Sequence, residues 1–257
     1  MKRRIITAVV GIPLLLIVLL AHEILTAIFV FAVAMLAAYE FLRLTDHYTP
    51  ETPQTMILFV VALIVLLVLP LLLENDLMLA VFVVLALIAI GNYIAKVVPL
   101  WFVEGPLYLG IPLATVIALR LMNSGIEWIV IVLAATWATD TMALFGGKAF
   151  GRTKLTAISP NKTREGTAIG IVSGLIAVLA FGAILGLLQD HTLTVVLAAI
   201  LLPPLAVLGD LLESKIKRTY GKKDSGAILP GHGGVLDRID STLFTAPTMW
   251  LLIVFFV

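Results

Sequence analysis

The sequence predicts an all-α integral membrane protein, a polytopic bundle of about nine transmembrane helices. Of its 257 residues, 61% are hydrophobic and only 13% are charged, whereas about a quarter of the residues in a soluble domain are charged. The mean hydropathy is +1.13, and a soluble globule of this size exposes too much surface to hide that composition. The chain contains no cysteine, which excludes a disulfide scaffold, thiol catalysis and cysteine-ligated zinc.

The individual helices follow from runs of about 20 mostly apolar residues, the length that crosses the hydrocarbon core. Lys2, Arg3 and Arg4 precede the first run and suggest a signal peptide. No cleavage site of small residues follows Leu20, so we interpret this run as a retained first helix. The nine predicted spans are 5–21, 24–43, 56–73, 77–95, 107–123, 127–148, 166–188, 193–213 and 242–257.

The basic residues fix the predicted orientation. With the N-terminus in the cytoplasm, every Lys and Arg except Arg120 falls on the cytoplasmic side, where membrane proteins concentrate them. The outer connections carry acidic residues and histidines instead. The sequence therefore predicts a multi-pass protein of the cell (inner or plasma) membrane with its N-terminus in the cytoplasm and its C-terminus outside.

Two carboxylates lie at positions where the membrane makes charge costly, and such groups usually face a cavity or a partner. Asp140 lies inside the sixth span, ahead of several glycines; helix packing around one internal hydrogen bond is the alternative reading. Asp210 lies at the cytoplasmic end of the eighth span. With Ser214 and Lys217 it forms a polar helix face, for which a solvated helix end is the alternative.

The segment from Lys215 to Asp240 has a different composition from the rest of the chain. Five basic residues and Asp224 precede a glycine-rich turn at 230–234, and Asp237 follows with Asp240 three positions later. On a helix these last two aspartates share one face. Paired carboxylates, clustered cations and glycine N–H groups are the groups that bind a divalent metal and phosphates. Contact with anionic headgroups would explain the lysines, but not the aspartates and glycines.

A second polar loop, 158–166, adds Lys162 and Arg164 to the cytoplasmic side. These cations could hold phosphate groups. Thr163 or Asn161 could equally serve only as the cap of the seventh span.

With these motifs the chain resembles the phosphatidate cytidylyltransferases, or CDP-diacylglycerol synthases. Their C-terminal pattern is met without a gap over 27 residues, and their upstream S-P-x-K-T-x-E-G motif and Asp-containing, glycine-rich helix are also present. The C-terminal positions are Ser214, Ile216, Lys217, Arg218, Lys223, Asp224, Gly226, Leu229, Pro230, His232, Gly233, Gly234, Val235, Asp237, Arg238, Ile239 and Asp240. The upstream positions are Ser159, Pro160, Lys162, Thr163, Glu165 and Gly166. The chain departs from many relatives at Ala143, Leu144 and Arg164, which bears on finer substrate contacts.

The resemblance implies an enzyme that joins CTP to phosphatidic acid in the bilayer, giving CDP-diacylglycerol and pyrophosphate. It implies Mg²⁺ held by Asp210, Asp237 and Asp240, with K⁺ as a second metal ion, and Arg238 and Lys223 as further catalytic residues. The residues expected to bind substrate are Asp140, Ser159, Lys162, Thr163, Arg164, Glu165, Ser214, Lys217, Arg218, Lys222, Asp224, His232, Gly233 and Gly234.

Residues 1–130 are then expected to form a scaffold of transmembrane helices, and residues 131–257 to carry the catalytic loops on the cytoplasmic side of one membrane-embedded enzyme. We expect a homodimer and no nucleic-acid partner. The alternatives are a CTP-dependent kinase of a polyprenol-type lipid and a cytidylyltransferase for another lipid phosphate. A more remote alternative is an ion-coupled transporter, which is disfavoured because the polar residues cluster in the cytoplasmic half.

Overall fold

The computed structural model consists of α-helices joined by loops in the residues that it describes. An isolated antiparallel bridge pairs Lys154 with Thr163. The described residues are 13, 17–46, 53–95, 100–226, 228 and 233–257. The helices are α1 (Glu23–Leu44), α2 (Pro53–Leu72), α3 (Asn75–Ala95), α4 (Leu100–Leu121), α5 (Gly125–Phe150), α6 (Arg164–Ile184), α7 (Leu187–Asp190), α8 (Thr192–Thr219), α9 (Leu236–Ile239) and α10 (Thr242–Phe256).

Helices lie at eight of the nine predicted spans, and the first span, 5–21, falls largely outside the described residues. Within the described part, six helical stretches are long and apolar enough to cross a membrane, and two shorter apolar helices accompany them. The prediction of a helical membrane protein is confirmed at this level. The count of nine spans and the orientation of the termini stay predictions.

Two helix ends differ from the sequence prediction for local reasons. The seventh span was expected to reach residue 188, but α6 ends at Ile184 and Gly186 adopts a φ of 78°, a left-handed conformation that ends helices. The eighth span was expected to end at 213, but α8 continues to Thr219. Its added turns are supported by the ion pair of Lys217 with Glu213, four residues earlier.

The chain divides into two compact units. The first contains Met1–Met122 and Asp224–Arg238, and the second contains Asn123–Lys223 and Ile239–Val257. The division predicted at residue 130 separates a scaffold from a catalytic part by their roles. It stays a prediction.

In the first unit, α4 packs against α1, α2 and α3. Its core includes Phe41, which lies 6.4 Å from Phe59 and 6.1 Å from Tyr108 between ring centroids. In the second unit, α5 packs along α6, and α8 packs against α5, α6 and α10. Large apolar side chains such as Leu72 and Ile184 remain exposed, as expected for helices that face lipid.

Candidate active site

Three aspartates from distant parts of the sequence come together in the second unit. Asp140 lies on α5, Asp210 on α8, and Asp240 in the turn between α9 and α10. Asp240 is only 9% exposed, and both Asp140 and Asp210 are close enough to repel a negative charge on it. We call these three residues the acidic cluster. Carboxylates this close together are stabilised by nearby cations or by protonation of one of them.

The close approach of α8 to the turn at Asp240 depends on a glycine. A Cβ atom on Gly209 would lie 2.5 Å from the carbonyl oxygen of Asp240, so a larger residue would push the two segments apart. Ser241 fixes the same turn, because its Oγ donates to the carbonyl oxygen of Ala206 at 3.1 Å. The same Oγ lies 3.5 Å from Oδ2 of Asp140. Backbone packing therefore brings Asp210 and Asp240 to one place.

Two lysines supply positive charge to the acidic cluster. Nζ of Lys162 lies 2.5 Å from Oδ2 of Asp210, and both side chains are less than a third exposed. Ser214 donates from Oγ to the other carboxylate oxygen of Asp210 at 3.3 Å. Lys217 attracts the charge on Asp240 and pairs with the buried carboxylate of Glu213. The predicted residues Lys162, Asp210, Ser214, Lys217 and Asp240 thus belong to one polar region.

The loop that carries Lys162 is built by other residues of the predicted binding motif. Thr163 accepts a hydrogen bond from the Gly166 N–H at 3.1 Å and caps α6, which is one of the two roles that the sequence left open. Oε2 of Glu165 accepts from the N–H groups of Arg152 and Thr153, each at 3.1 Å. Oγ1 of Thr163 and Oε2 of Glu165 therefore bind the protein's own backbone. Their contacts fix the loop from which Lys162 extends.

The rest of this loop has fewer side-chain contacts. The carbonyl oxygen of Ser159 accepts from the Lys162 N–H at 3.1 Å, which closes a turn. Arg164 donates from its backbone N–H to Thr153, and its side chain is exposed. The exposed cation is available to solutes, whereas Ser159 contributes through its backbone.

The basic end of α8 is held by its own backbone. Nη1 of Arg218 donates to the carbonyl oxygen of Lys222 at 3.0 Å, and the Lys222 N–H donates to that of Lys217 at 2.9 Å. Lys223 is exposed. These contacts fold the chain back after Thr219 and bring the backbone of Lys222 next to Lys217 and Arg218.

Asp237 belongs to the first unit and binds two backbone N–H groups of the C-terminal motif. Its Oδ2 accepts from the N–H of Gly234 at 2.8 Å and from that of Ser225 at 3.3 Å. Gly233 has a φ of 82°, which favours glycine. Arg238 and Asp224 are exposed, and His232 lies outside the described residues.

The helix that the sequence suggested over Asp237–Asp240 is α9, which ends at Ile239. Asp240 therefore lies just beyond the helix, and its Oδ1 accepts from the Ser241 N–H at 2.6 Å. In the described residues, no group of three or more acidic or histidine side chains has the arrangement of a metal site. Mg²⁺ needs fewer, since it uses one or two carboxylates together with water and substrate phosphates. The carboxylate oxygens of Asp210 and Asp240 fit that chemistry.

Comparison with known proteins gives the family. The Cytidylyltransferase family matches residues 2–256. The chain belongs to this family. It is 32% identical to a phosphatidate cytidylyltransferase of Bacillus subtilis strain 168 over 266 aligned residues, which cover 100% of this chain and 98% of that protein.

Two further relatives of this cytidylyltransferase match over shorter segments. One, from Helicobacter pylori strain J99, is a phosphatidate cytidylyltransferase 49% identical over 130 residues, or 51% of this chain and 47% of that protein. Another is the chloroplastic phosphatidate cytidylyltransferase 4 of Arabidopsis thaliana, 49% identical over 108 residues, 42% of this chain and 27% of that protein. These matches span less than half of either relative. The predicted family resemblance and enzyme class are confirmed.

Several residues of this cytidylyltransferase that organise its motifs were not predicted from the sequence. Glu213 is the buried partner of Lys217, and Ser241 joins the turn of Asp240 to α8. Glu40, on α1, accepts a hydrogen bond from the N–H of Leu236. Only Glu40 and Glu213 carried a sequence signal, a carboxylate in or next to an apolar helix.

Proposed function

We propose that this protein forms CDP-diacylglycerol and pyrophosphate from CTP and phosphatidate, with the acidic cluster at the reaction centre. The observation that supports this is the meeting of Asp140, Asp210 and Asp240 next to Lys162 and Lys217. The reaction itself is inferred from membership of the Cytidylyltransferase family. The cluster supplies a place where carboxylates and cations alternate, as the binding of phosphates and a divalent cation requires.

The proposed reaction is a direct displacement. An oxygen of the phosphatidate phosphate forms a bond to the α-phosphorus of CTP, the bond from that phosphorus to the β-phosphate oxygen breaks, and pyrophosphate leaves with the electron pair. The lipid phosphate is already an anionic nucleophile, so no serine or histidine nucleophile is needed. Most of the catalytic task is to bring two anions together and to stabilise the charge that develops.

Asp210 and Asp240 are the proposed ligands of a divalent cation such as Mg²⁺. When bound, the cation would neutralise phosphate oxygens and polarise the α-phosphorus. Asp237 as a further ligand and K⁺ as a second ion stay predictions. Asp237 already accepts two backbone hydrogen bonds, which join Ser225 and Gly234 through its carboxylate.

The cations are proposed to divide the work according to their mobility. Lys162 lies in a loop fixed by Thr163 and Glu165, so it can hold one phosphate at a defined place beside Asp210. Lys223 and Arg164 are exposed and would attract the triphosphate from solution. Charges on fixed residues stabilise a transition state better than charges that must first be ordered.

The site is proposed to face the cytoplasm, where CTP is found, and to open sideways to the leaflet that holds phosphatidate. The cytoplasmic concentration of basic residues supports this side. Nine spans with an outward C-terminus follow from the same partition of charge, and a homodimer stays a prediction.

The test is to incubate purified protein with phosphatidate, Mg²⁺ and each nucleoside triphosphate in turn, and to measure pyrophosphate. CTP labelled in the cytosine and, separately, in the γ-phosphate distinguishes the alternatives. Cytosine label in the lipid product supports the proposal, whereas γ-phosphate label in the lipid identifies a CTP-dependent kinase and contradicts it.

A matched pair of variants locates the reaction. Asp210→Asn should abolish most turnover, because Asn carries no charge to balance the cations. Asp190→Asn makes the same chemical change on an exposed aspartate of the same unit and should leave turnover unchanged. Equal activity of the two variants would remove the acidic cluster from the mechanism.

A further inference from the structure

Glu40 is a buried carboxylate in the predicted scaffold that contacts the glycine-rich segment directly. It lies on α1 and is only 2% exposed. Its Oε2 accepts a hydrogen bond from the backbone N–H of Leu236 at 2.9 Å. Leu236 immediately precedes Asp237 and Arg238, two residues expected to act in catalysis. The contact therefore joins an N-terminal helix to the backbone of a catalytic motif.

The glycines of this segment are spaced to fit the same carboxylate. A Cβ atom on Gly226 would have three nearest neighbours, all of them atoms of Glu40, with Cδ at 2.8 Å and Cγ at 3.0 Å. A Cβ atom on Gly234 would lie 2.5 Å from Oε2 of Glu40. The Glu40 side chain thus leaves no room for a Cβ atom at Gly226 or at Gly234. This explains why glycine occupies both positions of the family motif.

A second carboxylate holds the segment at other points. Oδ2 of Asp237 accepts from the N–H groups of Ser225 and Gly234, so Glu40 and Asp237 together hold the backbone at Ser225, Gly234 and Leu236. Oε1 of Glu40 is buried and has no hydrogen-bond partner among the described residues. A carboxylate in an apolar helix is costly, and packing alone would be better served by an apolar side chain.

We infer that Glu40 is a positioning residue of the reaction, which sets the place of Asp237 and Arg238 through the Leu236 N–H. This inference rests on the proposed function for its kinetic test. Loss of the acceptor would release the start of α9 and with it the two functional side chains. A displacement of about 1 Å in a residue that acts on the substrate can reduce a rate about 100-fold, so the effect is expected in kcat.

The first test compares three substitutions in full-length protein. Glu40→Ala should lower kcat by at least about 30-fold and change the KM for CTP less than about threefold. Glu40→Gln keeps a carbonyl oxygen that can accept from Leu236, and should retain at least about a third of kcat. Glu23→Gln is the control on the same helix, since that side chain is 48% exposed and should leave kcat unchanged.

The second test uses the steric fit. Gly226→Ala should lower kcat about tenfold in the wild-type background, because the new methyl group collides with Glu40. In the Glu40→Ala background it should cost less than about twofold, because the space is vacated. Such coupling is expected only if the two side chains meet.

Hydrogen exchange of the peptide spanning 233–238 provides a readout that needs no turnover. The exchange should be faster in Glu40→Ala and close to wild type in Glu40→Gln. If wild-type protein makes no CDP-diacylglycerol, the proposed function fails and the exchange still tests the contact. Unchanged kcat in Glu40→Ala, a Glu40→Gln variant as slow as Glu40→Ala, or unchanged exchange would each overturn the inference.

Discussion

The packing of α6 against α5 gives a quantitative prediction through Gly166. A Cβ atom at this position would lie 2.6 Å from the carbonyl oxygen of Ala143 and 2.7 Å from the backbone of Gly147. These are backbone atoms of another helix, which cannot rotate away as a side chain can. Restoring ordinary contact at 3.4 Å requires the helices to separate by about 0.8 Å.

The separation has a calculable consequence at the site. Gly166 is close to the start of α6, and Lys162 precedes it by four residues. If the loop moves with the helix, the distance from Nζ of Lys162 to Oδ2 of Asp210 grows from 2.5 Å to at most about 3.3 Å. We expect Gly166→Ala to cost about 1–3 kcal/mol of stability and to lower kcat about 10- to 100-fold.

The assay is pyrophosphate release in detergent micelles, with thermal unfolding measured on the same preparations. Gly182→Ala is the control, because Gly182 lies on the same helix about 24 Å away along its axis. There a Cβ atom meets a side-chain methyl of Val195 at 2.6 Å. We expect a comparable loss of stability, with kcat within about twofold of wild type.

Two results would refute the reasoning. The first is a Gly166→Ala variant with normal kcat, which would show that the helix contact does not position Lys162. The second is an equal loss of kcat in Gly182→Ala, which would show that activity only follows general stability.

Three further predictions concern charge and orientation. Asp240→Asn should lose at least about 100-fold in kcat at every Mg²⁺ concentration while purifying as wild type; recovery at high Mg²⁺ would indicate a binding role alone. Single cysteines introduced into 148–166 and 214–241 should react with a membrane-impermeant reagent only from the cytoplasmic side, and the absence of native cysteine makes the labelling specific; labelling from outside would reverse the orientation. Lys223→Ala should mainly raise the KM for CTP, increasingly at high salt, whereas Arg238→Lys should mainly lower kcat because a bidentate contact is lost; the opposite pattern in steady-state kinetics would exchange the two roles.

The helices could be predicted because membrane-spanning segments need a minimum apolar length, and that requirement is local in sequence. The limits of α6 and α8 could not, since Gly186 ends one helix and the Glu213–Lys217 pair extends the other. Both features depend on the conformation of single residues. Hydrophobicity averaged over about 20 positions does not register them.

The site could be predicted in composition but not in arrangement. Asp210 was identified from its place at the end of an apolar span and Asp240 from its motif, and the structure brings them together with Asp140 through helix packing. The motif could not reveal that Glu165 binds the protein's own backbone, because a carboxylate in a phosphate-binding loop has the same sequence signature in either role. The only sign in the sequence of a long-range partner such as Glu40 is a charged residue within an apolar helix.

The hydrogen bond between Glu40 and Leu236 has a consequence for how the protein is made. The two residues are 196 positions apart in the chain. At about 5–20 residues per second, a ribosome adds Leu236 about 10–40 s after Glu40. During that interval the Glu40 carboxylate has no Leu236 N–H to accept a hydrogen bond from. The segment that it positions has not yet been synthesised. The contact can form only when nearly the whole chain has been synthesised, so the proposed positioning role of Glu40 would keep a nascent chain inactive until then.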